Sequence, residues 1–143
     1  MRFIANLYRF DCPQNLYPAF LYTTRPILNS SDISFGTNRF GNPMKDVKIT
    51  VMRKCEYLDL MEQYENPIEH TCDMKTGNVF ISKNAEKPEG MCDAAWYVMQ
   101  KYVLALACGG SDFFDGWMKN KKSAMIACDD GFRPVSFYLE TVE

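Results

Sequence analysis

Six cysteines and one histidine are the residues of this chain with the most chemistry in their side chains. Cys12, Cys55, Cys72, Cys92, Cys108 and Cys128 are spread along the sequence with no C-x-x-C pair. That spacing signals neither a zinc ribbon nor a thioredoxin-like motif. No secretory apolar segment opens the chain, because Arg9, Asp11 and Pro13 interrupt the first apolar stretch and Pro18 breaks the next. A reducing, cytoplasmic setting is therefore expected, with thiols that are free or metal-bound. His70 stands two residues before Cys72. If Cys72, Cys92 and Cys128 converge with His70, they make a Cys3His set suited to zinc or another thiophilic metal. A second chemistry uses the same atoms, with Cys92 as nucleophile, His70 as base and Asp129 or Asp130 as the acid that orients it. The plain alternative is packing, since cysteine is among the residues most often buried.

The stretch MIACDDGFRPVSFYLE adds a second cluster, with Cys128, Asp129, Asp130 and Arg133 crowded between two strand-like runs. Asp130-Gly131 is a hairpin signal when apolar runs bracket it, and the aspartates suit the turn's own backbone hydrogen bonds. Arg133 is expected either to pair with those aspartates at the surface or to bind an anion through its planar fork. Cys128 and Arg133 are the better functional candidates here, because turn geometry requires neither. Cys92, Trp96, Asp130 and Arg133 are thus the candidates for binding a ligand or anion.

These residues need elements to hold them. DVKITVMRK alternates Val47, Ile49 and Val51 against Lys48 and Thr50, which predicts a half-buried strand. EYLDLMEQYE predicts a short helix near residues 57–65, ended by Asn66-Pro67. GNVFIS predicts a second strand. The strongest signal is CDAAWYVMQKYVLALACGG, where Cys92, Ala95, Trp96, Met99, Val103, Leu106 and Ala107 fall on one helical stripe. That predicts a main helix over about 93–108, with Asp93 at its positive end and Gly109-Gly110 as a left-handed stop. SAMIAC and FRPVSFYLETV predict the last two strands, and Pro134 marks a strand start or an edge. The expected fold is α+β: a small, mostly antiparallel sheet with the main helix on one face. The first and last strands are expected in the same sheet.

PEGMCDAAW, YVLALACGG and CDDGFRPVSFYLE together resemble a small prokaryotic family of about 90 to 100 residues, an ordinary single-domain size. In that family a P-E-G-x-C…A-W helix precedes a C-x-D-G-x-R-P-V hairpin. The resemblance covers residues 44–143. It implies that Cys92, Trp96, Cys128, Asp130, Gly131, Arg133 and Pro134 are motif positions and that Cys72 is a third recurrent cysteine. Ala94 stands where the family often has an aromatic, and Asp129 where it often has a small hydroxyl residue. The resemblance implies a fold and a site neighbourhood, and no activity.

Residues 1–43 stand apart, as an N-terminal extension ahead of a single domain over 44–143. Their charges are only Arg2, Arg9, Arg25, Arg39, Asp11 and Asp32, and they are dense in aromatics, unlike a solvated tail. Two readings stay open: an extension that packs on something, or a gene-model artefact with Met44 as the natural start.

With 16 Lys+Arg against 18 Asp+Glu, a net charge of −2 and no basic run, the chain is not built to neutralise a phosphate backbone. No apolar run approaches the roughly 20 residues that span a bilayer. No phosphate loop or dinucleotide fingerprint is present. Nucleic acid and membrane are therefore not expected partners, and beside a small enzyme built on Cys92 and His70 two function classes remain. One is a small cytosolic thiol-site protein holding a metal or cofactor through Cys72, Cys92 and Cys128. The other is a non-catalytic protein-interaction or ligand-binding module using the aromatic loop SDFFDGWMK, residues 111–119, and the hairpin edge near Pro134. An exposed apolar patch on that loop favours the second.

Overall fold

The computed structural model describes Thr37 and residues 41–142. Most of the N-terminal extension, residues 1–36 with 38–40, lies outside the described residues, and so does Cys12. The chain then runs β1 (Val47–Lys54), α1 (Leu58–Tyr64), β2 (Val79–Ser82), α2 (Asp93–Ala107), β3 (Ser123–Ala127) and β4 (Val135–Thr141). The strands form one antiparallel sheet in the order β2-β1-β4-β3. This is the expected α+β domain, and its first and last strands are central neighbours.

Alternation decides which face of the sheet is buried. Val47, Ile49 and Val51 of β1 point the same way as Val135, Phe137 and Leu139 of β4, and all six are buried. Across them lies α2, whose Ala95, Met99, Val103, Leu106 and Ala107 are the buried stripe. Ala124 and Ile126 of β3 complete the layer. The other face carries Lys48, Thr50, Tyr138 and Met125. There the Lys48 ammonium meets the Glu140 carboxylate at 3.1 Å, across the register pair that joins β1 to β4.

Both glycines after α2 are needed, for different reasons. Gly109 sits at φ +90° and donates to the Leu106 carbonyl at 2.9 Å, while Gly110 donates to the Ala105 carbonyl at 2.7 Å. These two bonds close a Schellman motif. A Cβ on Gly110 would lie 2.7 Å from the Ala105 oxygen, so no side chain fits there without moving backbone.

One expectation changes and two are sharpened. The β3–β4 connection is not a two-residue turn, because β3 ends at Ala127 and β4 begins at Val135, leaving seven residues from Cys128 to Pro134. Gly131 does not adopt the left-handed backbone that such a turn would require. Pro134 precedes a central strand, so it is a strand start and not an edge. The short helix α1 forms as expected, yet buries no residue; Leu58 and Tyr64 are exposed. Among the described residues no helix is long and apolar enough to cross a membrane.

Candidate functional site

Cys92 and Cys128 lie at element ends, as their positions in the sequence suggest, whereas Cys72 lies within the irregular segment between α1 and β2. Cys92 is the residue that caps α2 at its N-terminus, but its side chain makes no capping hydrogen bond. Cys128 follows β3, and its sulfur accepts the Val135 N–H at 3.2 Å. Cys72 lies in the segment before β2, where its carbonyl accepts from the Lys54 ammonium at 3.0 Å. All three are half-buried against the core. Among the described residues no group of three or more His, Cys, Asp or Glu side chains stands where it could hold a metal ion. Cys72, Cys92, Cys128 and His70 are thus not brought together as one ligand set. Each sulfur instead packs against the apolar layer beside its own element, which is the plain reading of a half-buried cysteine. No disulfide joins the described cysteines. Trp96 also packs against the core.

Arg133 is neither a surface pair with the turn aspartates nor an open anion fork. It is 8% exposed, and its two terminal nitrogens donate to the two carboxylate oxygens of Glu65 at 2.5 and 2.6 Å. Glu65 is the residue that ends α1, so this bidentate pair ties the short helix to the β3–β4 loop. The Arg133 hydrogen bond holds the Glu65 carboxyl below its ordinary value of 4.5. Backbone bonds from Tyr57 to Phe132 and from Cys55 to Pro134 reinforce the same seam. Asp130 serves the loop itself, with Oδ1 accepting the N–H groups of Phe132 and Arg133 at 2.8 Å each. Among the described residues every buried side-chain nitrogen and oxygen has a partner. The interior therefore holds no polar group aimed at a missing ligand.

The exposed chemistry lies on the aromatic loop. Its base is closed where Asp112 N–H donates to the Lys121 carbonyl at 2.7 Å, with the two side chains paired at 3.4 Å. Phe113 turns inward against the core. Phe114 and Trp117 turn outward, 38% and 75% exposed. Phe114 is held at φ +62°, a left-handed conformation that costs a non-glycine residue about 1–2 kcal/mol. Asp112 and Asp115 are left-handed too, but aspartate tolerates this far better than phenylalanine. Strain of this kind persists where surrounding structure over-determines it, and it concentrates at binding loops.

The rings connect to α2. Trp117 lies 6.3 Å from Phe114, which lies 5.8 Å from Tyr102 on the helix. The Lys101 ammonium sits 5.3 Å from the Tyr102 ring centre. Lys101 then joins Tyr97, Gln100 and Leu104 in lining a groove of about 470 Å³ along the helix. Tyr97 and Leu104 are 74% and 51% exposed. Two exposed patches thus lie on the helix side, the Trp117–Phe114–Tyr102 rings and the groove beside Tyr97 and Leu104, with Lys101 the residue that meets both; together they are called the strip from Trp117 to Tyr97. The sequence reading reached the loop but missed Tyr97, Tyr102 and Leu104. The available signal was the spacing of Tyr97 and Leu104, seven residues apart and so on one face of α2, opposite the core stripe, where only water is expected.

Family models, curated proteins and solved structures were compared with the chain, and none matches. The site must be read from its own geometry.

Proposed function

We propose that this protein is a non-catalytic binding module that acts in the cytoplasm and takes an extended apolar segment of protein on the strip from Trp117 to Tyr97. The observation that carries this reading is a three-quarters exposed tryptophan, stacked toward Phe114 and Tyr102, on a loop that holds Phe114 in a strained backbone. Aromatic side chains supply large contact area at small entropic cost, and exposed apolar strips of this kind mark interaction surfaces. The groove beside Lys101 offers room for the next side chains of such a segment. Membership of the prokaryotic family whose motifs this chain resembles is part of the proposal and assigns it no further activity.

The test is selection of short peptides from a random library on the folded chain, followed by calorimetry on the wild type and on Phe114→Ala/Trp117→Ala. Hot-spot aromatics cost about 2 kcal/mol or more when truncated, roughly thirtyfold in Kd. The expected result is apolar, aromatic- or proline-containing peptides whose affinity falls by that factor or more in the double variant. Peptides that bind wild type and double variant equally would refute the proposal.

A further inference from the structure

We infer that residues 1–36 of the same chain are the segment that occupies this strip when no other partner is bound. The inference rests on the binding role proposed for the strip and names its occupant. Composition is the first ground. Eighteen of those 36 residues are hydrophobic and seven are aromatic, with no lysine or glutamate among them. So much apolar surface gains free energy only by leaving water. The densest part is LYPAFLY, residues 16–22.

The second ground is where the segment joins the domain. Met44 packs against the core, and Lys45 N–H donates to the carbonyl of Ala107 at 2.9 Å. The chain therefore enters beside the C-terminus of α2, on the helix side of the sheet. From that same helix end the 110–122 connection departs, carrying Phe114 and Trp117. Reach is no obstacle, since 36 residues can span on the order of 100 Å. Tethering also gives the segment an effective concentration in the millimolar range, enough for a weak contact to be mostly closed.

Hydroxyl-radical footprinting of the full chain, read by mass spectrometry, tests this. The rate of Trp117 oxidation is compared between wild type and Tyr17→Ser/Phe20→Ser/Tyr22→Ser, each at two protein concentrations. Trp96, half-buried against the core, reports whether the domain stays folded, and Phe20→Ser alone provides a milder second variant. Expected is slow oxidation of Trp117 in wild type at both concentrations, rising several-fold in the triple variant and partway in the single one, with Trp96 unchanged. Oxidation of wild-type Trp117 at the rate of a freely exposed tryptophan overturns the inference. So does protection that disappears on dilution, which would assign the strip to a second copy. If library peptides bind the strip while Trp117 is unprotected, only the tethered occupant is wrong; if neither occurs, the binding role fails with it.

Discussion

At the scale of single residues, the Arg133–Glu65 pair and the two glycines after α2 carry the sharpest consequences. A guanidinium and a carboxylate joined by two bonds and shielded from water leave a costly orphan when either is removed. Arg133→Ala should lower the urea midpoint, and Arg133→Lys should not restore it, because an ammonium cannot make the planar double contact. The sign with pH follows from the lowered Glu65 carboxyl. Its contribution is complete above 4.5, the ordinary value, and is lost as pH falls through the lower folded-state value. The difference in stability between wild type and Glu65→Gln should therefore shrink in acid, as urea melts at a series of pH values would show; a constant difference would deny the pair its charge. Gly109→Ala places a methyl group at φ +90° and should cost about 1–2 kcal/mol. Gly110→Ala should cost at least as much, because its Cβ meets a backbone oxygen, and thermal melts would rank the two.

At the scale of elements, the helix and strands follow from spacing that the sequence displays openly. The alternation of Val47, Ile49 and Val51 and the stripe from Ala95 to Ala107 are the faces that meet in the core. Phe137, fully buried at the centre of β4, should cost about 3–5 kcal/mol when changed to alanine, measurable by chemical denaturation. Contacts between elements distant in the chain were not legible. Nothing local to Arg133 points to Glu65, 68 residues away, so the turn aspartates looked like its natural partners. The Asp130-Gly131 signal did mark a reversal between strands, but the Asp130 carboxylate holds a longer loop in place of a tight turn. Cys92 and Cys128 were correctly seen at element ends, while Cys72 falls within the segment between α1 and β2. Whether the three gather into one ligand set depends on packing, which spacing does not report. For the aromatic loop, Phe114→Asn keeps a residue that tolerates the left-handed backbone and removes the ring. Relief of that backbone strain should then keep stability level or raise it while peptide affinity falls. A large loss of stability would instead make Phe114 a structural residue.

At the scale of the whole molecule, the described residues form a two-layer domain that presents exposed aromatics on its helix side, and the apolar residues 1–36 are the occupant proposed for them. If that segment competes in cis, Tyr17→Ser/Phe20→Ser/Tyr22→Ser should bind library peptides more tightly than wild type, since a tethered competitor raises the apparent Kd. The central claim is that the working surface is this strip and not the cysteines. Calorimetry of one selected peptide against Phe114→Ala/Trp117→Ala and against Cys72→Ser/Cys92→Ser/Cys128→Ser tests it most directly. Binding should be lost in the aromatic variant and kept in the cysteine variant. Binding kept without the two rings and lost without the three thiols would contradict it.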